Sequence, residues 1–433
     1  MHNTQNSIEV ATQDGNRTSR SLPQEPWLIR LTESFKNGLT DEQLLGRLAS
    51  LNLVALQRQA SIVTGRHCTG SYPLAKGGYN TVFVLQMEDG PDLIARLGFF
   101  LGDYVPTHEF SPEEANDRFL SEVATLAYVR KHTTIPVPEV YHYDADPNNA
   151  VGARYIIMEM IAGPHMGYGW MNILPEARRT LLAEIVGWER QLLDIQFPAG
   201  GSIGDEDGTI GPMCLSSRLH SNLRAPHTGP FASSREYLAA HCRSTQDKYR
   251  EQLARGGVGP FTTYAVEWLR LALAGIMGLR EDAAPAFVLF HDEFEMKHIL
   301  VSPADPTKLI GLIDWEGSRV CPVWDHRNYS NFQADLDIDV QVGNMDPAEV
   351  EELREYRRAT LMGDAQGWPY ESRLGLQQVL EMVEQRRADM SNRSSIDQPF
   401  LEWFSWAEKA EEVQQQEIEA FLALKLFIEC YNG

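Results

Sequence analysis

Residues 79–87, YNTVFVLQM, alternate apolar and polar side chains with the period of two expected of a strand. EDGP at 88–91 supplies turn chemistry, and DLIARL at 92–97 returns as a second strand. Just before them, in AKGGYN, the adjacent Gly77 and Gly78 let the backbone bend and approach another group closely. From 118 to 132 the period changes: Phe119/Leu120, Val123/Ala124 and Leu126/Ala127 recur at helical spacing. Glu122 lies just off that stripe, and periodicity alone favours a solvated flank position for it. IPVPEVYHYDAD (135–146) runs into a short strand, and ARYIIMEMIAG (153–163) reads as a more apolar one. Residues 177–195 return to helical spacing, with Leu181/Leu182, Ile185/Val186 and Leu192/Leu193 on one face.

The stretch 198–232 is rich in Gly, Pro and Ser and reads as a long loop. Helices resume over about 234–280, and AFVLF, HILVS and KLIGLID then form a small β island near 286–314. Beyond it the chain is mostly helical, with a strong amphipathic stretch from Trp403 to Ile428. Residues 1–26 are polar and unpatterned and read as a flexible tail. The order of elements is that of an α+β protein in two unequal lobes. The expected division is a β-rich N-lobe over 27–160 and a larger helical C-lobe over 161–433.

Composition narrows the partners. The net charge is −22, which argues against a nucleic-acid surface and against an anionic membrane. The five cysteines stand in no ligand spacing and suit free thiols in a reducing compartment. The first thirty residues hold no apolar signal core, and no apolar run is long enough to span a bilayer. A cytoplasmic protein is expected.

The candidate chemistry sits in FHDEFEMKHILV, residues 290–301. Two histidines, three carboxylates and a lysine lie there between two strand-like apolar runs. Upstream stand the glycine-rich strand entry, Arg96 on the returning strand and Glu122 on the next helix; downstream, Asp314 ends the apolar run KLIGLI. That order matches the parts needed for phosphoryl transfer: a loop over phosphates, a strand cation paired with a helix glutamate, a catalytic loop and a metal-holding aspartate.

The stretch FHDEFEMKHILV…LIGLIDWEG resembles the H-G-D-x-x-x-x-N-I-L-V…G-x-I-D-W-E signature of the aminoglycoside phosphotransferase-like enzymes, and is closest to fungal members of that family. The ARL, PVPEVY and YIIMEMI segments resemble the family at the right separations, and the likeness covers about 70–330. It implies a two-lobed protein-kinase-like fold, with a catalytic loop at 290–301 and a metal-binding turn at 311–317. It implies ATP as cofactor with Mg²⁺ or Mn²⁺. Lys76, Gly77 and Gly78 would cover the nucleotide, Arg96 would contact its phosphates and pair with Glu122, and Glu159, Met160 and Ile161 would meet the adenine edge.

Aligned on ILV, the chain departs from the signature. Glu293 stands at the catalytic Asp position, Asp292 at the usual Gly, His298 at the metal-binding Asn, and Arg96 at the strand Lys; His291 keeps its place. Glutamate remains a base, but its extra methylene moves the carboxylate, and Asp292 is an alternative base one residue away. Imidazole at His298 suits Mn²⁺ better than Mg²⁺. Two readings stay open. One is a small-molecule kinase with Glu293 or Asp292 as base, Asp314 and His298 holding the metal, and a hydroxylated, preferably cationic acceptor. The other is a catalytically impaired pseudokinase that binds a nucleotide, ligand or protein partner. Asp335, Asp337 and Asp339 are weak candidates for the acceptor pocket, because a solvated acidic loop explains them better; Trp324, Asp325 and His326 follow the Asp314 turn.

Overall fold

The computed structural model describes residues 7–11, 17–21, 50–76, 80–98, 112–168, 170, 173–214, 226–254, 287–322, 336 and 345–362. In chain order the N-terminal part contains β1 (Ser7–Ala11), β2 (Arg17–Ser21), α1 (Leu53–Thr64), β3 (Cys68–Lys76), β4 (Asn80–Met87), β5 (Leu93–Gly98), α2 (Pro112–His132), β6 (Val140–Asp144) and β7 (Arg154–Glu159). Its seven strands form one sheet in the order β2-β1-β3-β4-β5-β7-β6. Every pairing in it is antiparallel.

The tail expected over 1–26 is corrected where strands occur. β1 and β2 pair with each other, and Ala11 pairs with Ser71 on β3. The physical reason lies in IEVATQDGNRTSR: Asp14-Gly15 is a hairpin signal between two segments that can extend, and β3 offers an edge to join. The signal was weak, because only β1 alternates, with Ile8 and Val10 at every second position, while β2 is wholly polar.

α1 starts at Asn52, whose side chain accepts from the Ala55 N–H, and stops at Gly65 with φ 68. Its Leu56 and Ala60 pack on the sheet with Phe83, Leu85, Leu93 and Ala95. α2 carries Glu113 and Glu114 in its first turn and Arg130, Lys131 and His132 in its last, which complements the helix dipole at both ends. Its Phe119 and Val123 pack on Ile156 and Met158 of β7, while Leu126 and Val129 belong to the core of the second lobe. One helix therefore joins both cores, and Glu122 rides on it between them.

The second lobe contains α3 (Pro175–Asp194), β8 (Gln196–Phe197), β9 (Ser202–Ile203), β10 (Ile210–Gly211), α4 (Ser234–Ala254), β11 (Phe287–Phe290), β12 (Ile299–Val301), β13 (Leu309–Leu312), β14 (Arg319–Pro322) and α5 (Pro347–Met362). The segment expected to be a long loop thus includes the small β9–β10 pair. α3 buries Leu181, Leu182, Ile185 and Val186 on the face predicted from spacing. It is clamped to α5 by the buried Arg357–Glu189 pair at 2.7 Å and by Arg178–Glu349 at 2.9 Å. The β island resolves into two units. β11 lies between β14 and β8, while β12 pairs with β13. All four residues of β11 and all three of β12 are buried, so the eight residues between them start and end on fixed ground. The amphipathic stretch 403–428 and the helices expected over 255–280 lie outside the described residues.

Candidate active site

The loop 291–298 is organised by its two histidines. His291 is 2% exposed. Its Nε2 lies 3.1 Å from the Ile313 carbonyl oxygen, and its Nδ1 accepts from the Glu293 N–H at 3.2 Å. A carbonyl only accepts, so Nε2 carries the hydrogen and Nδ1 the lone pair. Burial, then the nearby His298, push the His291 pKa down to about 4. The ring is neutral near pH 7, and each nitrogen is engaged with backbone. The imidazole edge also packs against Trp315, with ring centroids 4.6 Å apart. His291 therefore ties the start of the loop to the residue preceding Asp314. The expectation that it acts chemically is corrected to a positioning role, because burial leaves the ring no path to a substrate.

Asp292 is also redirected. Its carboxylate accepts from Arg319 Nη1 at 2.5 Å, with side chains 4% and 2% exposed. Arg319 pairs opposite Phe290 across β14 and β11, and its guanidinium stacks over the Phe290 ring at 4.4 Å. An aspartate buried against an arginine is spent on structure, so Asp292 does not serve as the alternative base.

Glu293, His298 and Asp314 come together. Their ligand atoms all lie within 4.8 Å of one another. His298 Nε2 is 3.2 Å from Asp314 Oδ2 and 3.8 Å from Glu293 Oε2. Lys297 Nζ approaches Glu293 Oε2 at 3.2 Å and Glu295 at 2.6 Å. The β12–β13 hairpin brings the two halves together, since the Ile313 N–H donates to the His298 carbonyl at 3.0 Å. Asp314 then turns with φ 64, the one non-glycine residue with positive φ among those described. Such backbone is costly for a residue with a Cβ and is held here by its surroundings. Burial works to raise the Asp314 pKa, but His298, then Arg96, outweigh it and hold the carboxyl below its ordinary value. It is an anion at neutral pH.

The N-lobe supplies the facing cation. Arg96 on β5 forms an ion pair with Glu122 on α2, whose side chain is 3% exposed. The solvated position expected for Glu122 is overturned because α2 packs between the two cores, which turns that flank inward. Arg96 Nη1 also reaches Asp314 at 3.6 Å and Glu316 at 3.4 Å. Glu316 in turn accepts from Asn80 Nδ2 at 2.7 Å and pairs with Arg118 Nε at 3.1 Å. Residues from β4, β5, α2 and the turn after β13 thus meet at one point between the lobes. Asn80, Arg118, Glu316 and Arg319 were not anticipated. Glu316 stood in the recognised DWEG run, whereas an isolated Arg or Asn on an element carries no local signal.

The segment after β7 forms the other wall. Ile161 and Gly163 press against the β12–β13 hairpin. A Cβ on Gly163 would lie 2.2 Å from the Val301 carbonyl oxygen, and one on Gly311 would lie 2.6 Å from Ile161 Cδ1. Val301 N–H donates to the Pro164 carbonyl at 3.0 Å, which fastens this segment to the hairpin. The Glu159 N–H is taken by the Glu139 carbonyl at 2.8 Å, so that group is not available to a ligand. Met160 and Ile161 follow the end of the strand. Lys76 ends β3, whereas Gly77 and Gly78 lie outside the described residues, as do Trp324, Asp325, His326, Asp335, Asp337 and Asp339.

The subtelomeric hrmA-associated cluster protein of Aspergillus fumigatus is 26% identical over 323 residues, spanning 61% of this chain and 61% of that protein. This chain therefore matches about three fifths of the length of that relative. The mitochondrial altered inheritance of mitochondria protein 9 of Candida albicans is 24% identical over 144 residues, covering 32% of this chain and 22% of that protein. Among solved structures, the aminoglycoside phosphotransferase APH(4)-Ia in a ternary complex with AMP-PNP and hygromycin B is 14% identical at a TM-score of 0.42, with 85% of this chain and 97% of that one covered. A putative fructosamine-3-kinase from Thermobifida fusca is 17% identical at a TM-score of 0.39, with 76% and 90% covered. The family model described as phosphotransferase enzyme family matches residues 72–324, which include every part of the site described above, and the chain belongs to that family.

Proposed function

We propose that the chain transfers the terminal phosphoryl group of ATP to a hydroxyl of a small molecule. The observation that carries this reading is the convergence of Glu293, His298 and Asp314 within 4.8 Å, beside the Arg96–Glu122 pair. Phosphoryl transfer asks chiefly for positioning and charge stabilisation, and these groups supply both. Arg96 is a forked cation suited to phosphate oxygens. Glu293 takes the acceptor's hydroxyl proton. The acceptor oxygen bonds to the terminal phosphorus as the bond to the bridging oxygen breaks and ADP leaves. The donor set of one imidazole and two carboxylates fits a divalent ion, and Asp314 and His298 are the residues that would hold it. When bound, such an ion neutralises charge on the phosphate oxygens.

Met160 and Ile161 are the residues assigned to the adenine edge, and Lys76 to the loop over the phosphates. A cationic acceptor is preferred, because the net charge of −22 and the half-buried carboxylates favour amines over anions. Among the described residues, no helix is long and apolar enough to cross a membrane.

One observation favours the second reading, a pseudokinase. His298 and Asp314 stand 3.2 Å apart, a separation that an imidazolium and a carboxylate adopt without any metal. Calorimetry of ATP binding with Mg²⁺, with Mn²⁺ and with chelator separates the two. Metal-dependent binding that disappears in Asp314→Ala, with labelled phosphate reaching amino sugars or choline-like alcohols, supports the kinase. Absence of ATP binding under every metal favours the pseudokinase, and preference for anionic acceptors would refute the cationic substrate class.

A further inference from the structure

Glu316 belongs to the second lobe by its backbone and to the first by its carboxylate. The backbone around it is pinned: Trp315, 1% exposed, donates from Nε1 to the Leu312 carbonyl at 3.1 Å, and the Ser318 N–H donates to the Trp315 carbonyl at 3.2 Å. The carboxylate is received by three N-lobe donors. Oε2 accepts from Asn80 Nδ2 at 2.7 Å and from Arg96 Nη1 at 3.4 Å, while Oε1 faces Arg118 Nε at 3.1 Å. The donors come from β4, β5 and α2, and each of these nitrogens only donates.

Two guanidinium groups and an amide aimed at one point make an anion cup. Nothing in that set is particular to a carboxylate. A phosphate offers the same donors more oxygens and more charge, and forked guanidinium groups suit it. The side chains of Arg96 and Arg118 are 10% exposed, which shields them from water, while that of Glu316 is 18% exposed. Arg96 gives Nη2 to Glu122 and turns Nη1 to the cup, where Asp314 also stands at 3.6 Å. Asn80 is the first residue of β4, directly after the glycine-rich bend, so the cup lies under the loop assigned to the phosphates.

We propose that Asn80, Arg96 and Arg118 together bind the phosphates of the ligand, and that Glu316 occupies their cup as an internal competitor in the nucleotide-free chain. This role rests on the phosphotransferase reading only in that phosphates enter the cleft. Asn80 and Arg118 are added to Arg96 as contacts, and Glu316 is the group they release. With its backbone pinned, Glu316 leaves by side-chain rotation. Phosphate affinity is lowered by the fraction of time that the carboxylate fills the cup.

The test is calorimetric titration of inorganic tripolyphosphate into the full chain in metal-free buffer. The wild-type protein should bind it weakly, and Glu316→Gln about tenfold more tightly, the scale of one charge-assisted hydrogen bond. Adding Arg118→Gln to Glu316→Gln should abolish the gain. Glu352→Gln, on α5, removes the same charge outside the cup and should change nothing. Circular dichroism checks each fold, and if Glu316→Gln does not fold, the shorter Glu316→Asp carries the same expectation, since it keeps the charge but falls short of Arg118. A folded Glu316 variant that binds no more tightly than wild type, absence of binding in both, an equal gain in Glu352→Gln, or a gain that survives loss of Arg118 would each overturn the proposal. The first of these results is what a purely structural Glu316 would give. Tripolyphosphate binding as expected, with ATP left unbound under every metal, would count against the phosphotransferase reading alone.

Discussion

At the scale of single residues, the loop 291–298 divides its labour. His291 and Asp292 face inward and hold the backbone, whereas Glu293 and His298 face the site. The division follows from partners: His291 is bonded to two backbone groups, and Asp292 is held by Arg319. Removing one member of a buried ion pair costs about 3–5 kcal/mol, because the other charge is left unpaired. Asp292→Ala should therefore lower stability by about that amount, read as the urea denaturation midpoint. Asp292→Ala combined with Arg319→Met should recover most of the loss, since the methionine keeps the contact with Phe290 without the charge. A loss below about 1 kcal/mol in the single variant would show that the pair does not anchor the loop.

At the scale of elements, the N-lobe sheet holds several acidic groups whose pKa burial raises, Cys68 and Tyr155 among them. Burial raises the Cys68 thiol from 9.0 to about 11, and burial, then Asp144, raises the Tyr155 phenol from 10.0 to about 12. Both folded values lie above the unfolded ones. The folded state thus binds more protons over that window, and its stability falls as pH rises. The contribution is fully present below pH 9.0 and is lost from there through about 12. Urea midpoints should stay level between pH 7 and 8.5 and fall progressively above 9. Cys68→Ala should flatten the first part of that decline while leaving the Tyr155 part. An unchanged profile in the variant would mean that the thiol is not desolvated as described. The strands of the two lobes display what spacing could reveal. β4, its turn and β5 were legible because one face is apolar, while β14 and β8, only four and two residues long, gave no period to read.

At the scale of the whole molecule, two cores meet across α2, and the site lies where they meet. The chain carries 60 acidic and 38 basic residues. Self-repulsion of that excess charge disfavours the compact state, and salt screens it over about 8–10 Å. The melting temperature should therefore rise between 20 and 200 mM NaCl, as followed by circular dichroism. A falling temperature would mean that the ion pairs, among them Arg96–Glu122 and Arg357–Glu189, outweigh the net repulsion.

The sequence by itself determined the α+β order, the β4–β5 hairpin, the apolar face of α3 and the grouping of Glu293, His298 and Asp314 as candidates. The first three are written in local period, whereas the candidates rest on the resemblance of 290–316 to the phosphotransferase signature. The tertiary structure alone decided which carboxylate faces the site, because Asp292 and Glu293 are adjacent and chemically alike. Only the distant Arg319 tells them apart. It also decided that Glu122 is buried, since a helix flank becomes interior only when a second lobe closes over it. And it gathered Asn80, Arg96, Arg118 and Glu316 at one point, a contact among residues up to 236 positions apart that no local pattern encodes.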